Sequence, residues 1–357
     1  IEDLIPVEEN VVTLTDNGYI KRQQLCLYKE QNRGGKGVLG MKQREEDFIN
    51  EMFVCSTHDH VLFITNKGIM YRLKCYEIGE GTKQSKGTNI INLLPLTEDE
   101  KIAAMIKTSD FAEGKFIVMV TKNGKIKRTP LEMYRNVRKA GLRAIGLDEG
   151  DEIEGVRMTD GTNQLIIATK NGMAIRIPET CLRPMSRVAH GVRAIKLRED
   201  DYVVSMARVR EGASVITVSD KGFGRRTPLE SYRIQNRGGY GMKNYKISDE
   251  KGSVCGIKVV DETDDLIIIS NNGVIIRIRV SDVRLMGRYA TGVRVMRLGE
   301  NENVVAFTRT EYEEDAAVEK IEQPSEEELR AEEQEAMLEE AEEVIDDSTD
   351  NDDEDEE

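Results

Sequence analysis

Short apolar runs recur along the chain, and each ends in Thr or Ser just before a turn dipeptide that closes on Gly. The runs are Val11–Thr15 before Asn17-Gly18, Val61–Thr65 before Lys67-Gly68, and Phe116–Thr121 before Asn123-Gly124. Three more follow: Leu165–Thr169 before Asn171-Gly172, Val215–Ser219 before Lys221-Gly222, and Leu266–Ser270 before Asn272-Gly273. Asn-Gly between two apolar runs predicts a tight β-hairpin, because the turn needs positive φ at its centre. The runs are nearly unbroken, as expected of strands buried on both faces. Successive turn glycines lie 50, 56, 48, 50 and 51 residues apart, so the chain reads as six copies of one unit.

The second half of each unit repeats as well. The fourth residue after every turn glycine is Arg: Arg22, Arg72, Arg128, Arg176, Arg226 and Arg277. Charge at that place fits either a solvated strand edge or an ion pair with a neighbouring acid. A second glycine follows the first by 17 to 19 residues: Gly37, Gly87, Gly141, Gly191, Gly241 and Gly292. A basic residue precedes each one, namely Arg33, Lys83, Arg138, Arg187, Arg237 and Arg288, with Lys86 and Lys139 close by. Two residues after it the last four units carry Arg143, Arg193, Lys243 and Arg294. Alternating apolar positions beyond, such as Ile195 and Leu197 or Met296 and Leu298, predict a strand with one buried and one wet face. Thr-Pro-Leu-Glu-x-Tyr-Arg occurs at 129–135 and again at 227–233. Helical periodicity is weak throughout this region. The prediction is an all-β, propeller-like closed array of six units, in which radial repetition protects the strand edges.

Charge divides the chain in two. The net charge is −15, but residues 311–357 hold 25 acidic and two basic residues, leaving 49 bases against 41 acids in 1–310. A body of +8 carrying a tail of −23 points to a polyanionic partner. Within the tail, Ser325 to Val344 reads as helical, and Asp346 to Glu357 is almost wholly acidic. The tail is read as largely disordered, either a solubilising segment or a mimic of the polyanionic partner that competes for the basic loops. The domain boundaries are thus 1–310 for the repeat body and 311–357 for the acidic tail.

Other classes of chemistry find little support. Cys26, Cys55, Cys75, Cys181 and Cys255 are odd in number and never spaced CxxC, so they read as reduced thiols of a cytosolic protein. His58-Asp59-His60 lacks the further ligands a metal site would need, so no metal ligands are assigned. No P-loop, GxSxG or HExxH motif occurs, and no catalytic residue is assigned. No run of eighteen apolar residues could span a bilayer. The chain starts IEDLIP, without an initiator Met or a signal pattern, and reads as a fragment of a longer polypeptide.

The first unit carries Gln31-Asn32-Arg33-Gly34-Gly35-Lys36-Gly37, and the fifth carries Gln235-Asn236-Arg237-Gly238-Gly239-Tyr240-Gly241. Gln, Asn, Arg and Lys side chains can donate to phosphate oxygens, and Gly-Gly lets backbone N–H groups approach them. Gln31–Gly37 resembles the box heptapeptide of the C-terminal domain of the gyrase A protein, QRRGGKG, with Asn32 where that family usually has Arg. Asn32 costs the box one cation, while Arg33 and Lys36 remain. The opening IEDLIP is similar to the junction after that family's cleavage core, and the six units extend the resemblance to about residue 310.

What the resemblance implies is a six-bladed β-pinwheel whose blades exchange strands. Its DNA-binding residues would be the box and a basic rim of Lys83, Lys86, Arg138, Lys139, Arg143, Arg187, Arg193, Arg237, Lys243, Arg288 and Arg294. The domain would be a monomer that wraps double-stranded DNA, and the wrap would give the holoenzyme its negative-supercoiling direction. The remaining partners implied are the rest of a dimeric gyrase A protein and the gyrase B protein of an A2B2 assembly, in the bacterial cytoplasm at the nucleoid. No cofactor is implied here, because ATP and Mg2+ would act in other domains of that ATP-dependent topoisomerase. The corresponding domain of topoisomerase IV is the nearest alternative, and it often has fewer units and no intact box. A propeller scaffold for protein contacts is another alternative, but WD and kelch signatures are absent.

Overall fold

The computed structural model describes residues 4–25, 49–82, 85–271, 274–311, 321 and 325–349. The box, Gln31 to Gly37, and Lys83 lie outside them. The strand pairs of all six predicted hairpins form, with the sixth turn, Asn272-Gly273, outside the described residues, and each pair builds a small antiparallel sheet, so the six-bladed pinwheel expectation holds. The first hairpin pairs Glu9–Thr15 with Tyr19–Gln24. Ile49–Ser56 adds along the free side of the first of these strands. A fourth strand, Thr88–Asn89, comes from the next repeat and pairs with Tyr19 and Ile20.

The same plan recurs in the second to fifth sheets. Their fourth strands are Leu142–Arg143, Val192–Arg193, Met242–Lys243 and Val293–Arg294, each donated by the following repeat. The sixth sheet has three strands among the described residues.

The hairpin strands are apolar because they lie at the centre of each sheet. Val61, Leu62, Phe63 and Ile64 are fully buried, as are Ile117 to Val120 and Leu165 to Ala168. Alternate residues of such a run face different apolar clusters: Leu62 and Ile64 pack with Ile117 and Met119, while Val61 and Phe63 pack with Val12 and Ile20. Outer strands carry a bulge at one repeated point, opposite the last residue of the apolar run. In the third sheet the extra residue is Glu154, between Ile153 and Gly155.

The chain clusters into two compact units. The first comprises 1–165, 177–197 and 236–239, and the second 166–176, 198–235 and 240–357. The first three sheets lie in the first unit and the fifth and sixth in the second, while the fourth falls mainly in the second. The predicted tail helix is present as Glu326–Thr349.

One expectation needs correction. Ile195, Leu197, Met296 and Leu298 do not belong to strands, because the donated strands end at Arg193 and Arg294. The chain bends there, and these apolar residues cover the turn of the preceding hairpin. A Cβ on Gly124 would stand 2.9 Å from the Ile195 carbonyl oxygen, and one on Gly222 would stand 2.3 Å from that of Met296.

Candidate nucleic-acid interface

The second glycine of each repeat brings the donated strand onto its neighbour. Gly191 has φ +85°, and a Cβ there would lie 2.5 Å from the Ile126 carbonyl oxygen. Gly241 makes the same approach to Ala174 at 2.4 Å, with φ +78°. Only glycine takes both the left-handed conformation and the contact without strain. The residue two places on is then fixed opposite the one that follows the hairpin turn glycine. The pairs are Arg143 with Ile69, Arg193 with Lys125, Lys243 with Met173, and Arg294 with Phe223. Register thus sets a cation at one equivalent place in the second, third, fourth and fifth sheets. In the first sheet Asn89 stands there, opposite Tyr19.

The loop cations sit next to these. Arg138 and Lys139 are exposed in a turn closed by the Gly141 N–H on the Arg138 carbonyl at 2.9 Å. Arg237 is exposed and donates to the Arg193 carbonyl at 3.2 Å. Arg288 is half-buried and donates to the Lys243 carbonyl at 2.6 Å. A loop cation is thereby tied to the strand cation of the preceding repeat in the fifth and sixth repeats. Aromatic rings support others: Lys86 lies 4.2 Å from the Tyr19 ring centroid, and Arg294 4.7 Å from that of Phe223.

The six repeated arginines are structural clasps rather than part of this surface. Arg22 donates to the Ile78 carbonyl at 2.7 Å and pairs with Glu80 at 2.8 Å. Arg72 donates to the Arg135 carbonyl at 2.7 Å, and Arg176 to those of Leu229 and Tyr232. Arg128, Arg226 and Arg277 face Glu179, Glu262 and Asp265.

Two further cations were not legible as special in the sequence. Lys127 and Arg225 are fully buried, one residue before the clasp arginine. Burial, and next the nearby Arg187 charge, push the Lys127 ammonium down to about 7. Burial also lowers the Arg225 guanidinium from its ordinary range. The available signal was the basic doublet itself, Lys21-Arg22, Lys127-Arg128 and Arg225-Arg226, in alternate repeats only.

The acidic helix lies on cations of the second unit. Glu339 accepts from Lys243 at 3.1 Å and from Lys246 at 2.9 Å, Glu335 accepts from Lys246, and Glu333 faces Arg284 at 3.8 Å. Burial raises the Glu339 carboxyl, but the two lysines outweigh it and hold the group below its ordinary value. Among the described residues no helix is long and apolar enough to cross a membrane.

Repeated small sheets with donated edge strands, four of them carrying a cation fixed by register at one equivalent place, define a strand-exchanging β-propeller module. The sequence pattern described as "DNA gyrase C-terminal domain, beta-propeller" matches six times, at residues 9–56, 59–109, 115–160, 163–210, 213–261 and 264–311. The chain belongs to that family. It is 43% identical over 335 residues to the gyrase A protein of Staphylococcus aureus strain NCTC 8325, an alignment covering 93% of this chain and 36% of that protein. The gyrase A protein of strain MRSA252 is 44% identical over 317 residues, 88% of this chain and again 36% of the relative. The chain therefore spans about a third of the length of these relatives. Among solved structures, the C-terminal domain of DNA topoisomerase IV superposes with a TM-score of 0.75 at 28% identity, covering 86% of this chain and 95% of that one. The DNA gyrase A C-terminal domain gives 0.67 at 28% identity, covering 85% and 99%.

Proposed function

We propose that this chain binds duplex DNA through its phosphates and bends it along successive sheets, as the wrapping module of a gyrase A protein. The observation that carries this reading is the register-fixed cation, Arg143, Arg193, Lys243 or Arg294, at one place in four consecutive sheets. Cations repeated at equal intervals suit a backbone whose charges also repeat, and they read no base edges. Bending 20–30 bp by 40–90° costs roughly 1–6 kcal/mol, so a longer wrap needs contacts spread over many phosphates. Gel-shift titration of the chain with DNA fragments of unrelated sequence tests the reading. Affinity is expected to vary little with sequence, and log K to fall with log salt by about 0.9 per phosphate neutralised. A flat salt response overturns it.

In the whole enzyme the wrap would present DNA to the cleavage core with one crossing sign, in partnership with the remainder of the gyrase A protein and with gyrase B. The likeness to the topoisomerase IV domain supports a second reading, in which the parent enzyme relaxes DNA without introducing negative supercoils. Reconstituting the full-length parent protein with its ATPase partner and assaying relaxed plasmid with ATP separates the two. Negative supercoiling supports the gyrase reading, and relaxation alone supports the other.

A further inference from the structure

The third residue after the turn glycine alternates along the chain: Lys21, Tyr71, Lys127, Ile175, Arg225, Ile276. The odd repeats carry a cation there and the even repeats do not. Each of these cations points at the basic loop of the next repeat and bonds its backbone. Lys21 Nζ donates to the Thr82 and Ser85 carbonyls, both at 2.9 Å. Lys127 Nζ donates to the Arg187 carbonyl at 2.5 Å, to Ser186 at 3.2 Å, and to Ala144 at 2.5 Å. Arg225 donates through Nη1 to the Arg288 and Ala290 carbonyls, and through Nη2 to the Asn244 carbonyl.

Among the described residues neither Lys127 nor Arg225 pairs with a carboxylate. All their partners are neutral oxygens, including Thr227 Oγ1 and Asn244 Oδ1 for Arg225. A buried cation without an acid is costly, and Ile175 and Ile276 show that the repeat accepts an apolar residue at this position. The cost is raised further because each buried cation lies close to a loop arginine of like charge, Arg187 or Arg288. A phosphate over the loop would relieve that repulsion, so the arrangement favours the DNA-bound state over the free one. The recurring Thr-Pro-Leu-Glu-x-Tyr segments serve the same anchor. The Tyr134 hydroxyl donates to the Ala144 carbonyl at 2.9 Å, beside Lys127, and the Tyr232 hydroxyl to Asn244 Oδ1 at 2.5 Å, beside Arg225.

We propose that Lys21, Lys127 and Arg225 are positioning residues for DNA binding: each clamps the backbone of the following basic loop so that Lys86, Arg187 or Arg288 meets a phosphate at a fixed place. Loops of alternate repeats are thereby pre-ordered, and those that follow Tyr71 and Ile175 are held without a buried charge. The proposal rests on the DNA-binding reading above.

The test uses Lys127→Ile and Arg225→Ile in the full chain, the residue that other repeats carry at this position. Both variants are expected to keep their melting temperature within a few degrees of the parent. Each should weaken DNA binding about three- to tenfold at low salt and lower the salt slope by about 0.9, the loss of one phosphate contact. Adding Lys127→Ile to Arg187→Ala should cost nothing more than Arg187→Ala alone, since the buried lysine acts through that loop. Lys127→Arg should restore binding. Folded variants with parental affinity and slope overturn the positioning role and leave DNA binding intact, whereas failure of the parent chain to bind DNA overturns the underlying reading. Should an isoleucine variant not fold, backbone NMR relaxation of the parent decides. Residues 183–190 and 284–291 are expected to be more ordered than 135–140 and 233–240, and equal or reversed order overturns the clamp.

Discussion

Arg193 and Arg294 are exposed side chains fixed at their Cα by strand pairing, so removing either charge should leave its sheet in place. Arg193→Ala or Arg294→Ala is expected to reduce DNA affinity uniformly across sequences and to lower the slope of log K against log salt by about 0.9. An unchanged slope would place the phosphates elsewhere. Glu154 behaves differently, because it sits at the bulge of an outer strand and burial pushes its carboxyl up to about 7, against help from Lys122. The folded state then holds a proton that the unfolded chain loses above its ordinary value of 4.5. Stability therefore falls as pH rises from about 4.5 to about 7 and stays lower above that, on this group alone. Glu154→Gln should raise stability at pH 8 by on the order of 1–3 kcal/mol, with the gain disappearing near pH 4. Urea midpoints of both proteins across that range check it, and a gain equal at both ends would assign the effect to packing. Nothing in the sequence marked Glu154, and the basic doublet Lys127-Arg128 did not by itself show that Lys127 is buried.

At the scale of elements, the donated strand depends on its glycine. Gly191→Ala would force a Cβ against the Ile126 carbonyl at a positive φ, at a cost of about 1–3 kcal/mol before any relaxation. A lower melting temperature together with weaker DNA binding is expected, since Val192–Arg193 carries the cation; parental values of both would show that the strand tolerates the shift. The acidic helix makes its own claim on the same surface. Each of its exposed ion pairs with Lys243 and Lys246 is worth only about 0.2–1 kcal/mol, yet tethering makes even weak contacts compete. Deleting residues 311–357 is expected to raise DNA affinity several-fold at low salt and little at high salt. Equal affinities of the two chains at low salt would reduce the tail to a solubility device. The hairpins were readable from the sequence because Asn-Gly and the apolar runs are local signals. The donated strands were readable only in part. Gly191 and Arg193 stood out, but the bend after Arg193 is set by contact with another hairpin, and alternation at Ile195 and Leu197 mimicked a longer strand.

For the molecule as a whole, the box remains the sharpest test of the proposed role. Replacing Gln31–Gly37 by alanines in the full-length parent protein is expected to abolish supercoiling by the reconstituted enzyme while sparing relaxation, and supercoiling at the normal rate would sink the assignment. The exchange of edge strands also has a bearing on how such a chain can gain or lose length over its history. Because the fourth strand of each of the first five sheets belongs to the next repeat, none of those sheets is self-sufficient, and among the described residues the second to fifth repeats each receive a strand in the same way that they give one. Excising residues 173–222, one full period between turn glycines, joins the first strand of one hairpin to the second strand of another. Each remaining sheet before the last then still finds a donor downstream. Removing the last period instead takes Val293–Arg294 with it and leaves the fifth sheet without its donated strand along Phe223–Pro228, the three-stranded state that the sixth sheet shows among the described residues. Loss of a repeat from the middle or from the end therefore leaves the same number of described sheets without a donated strand, so repeat count can change in this architecture without adding an open edge.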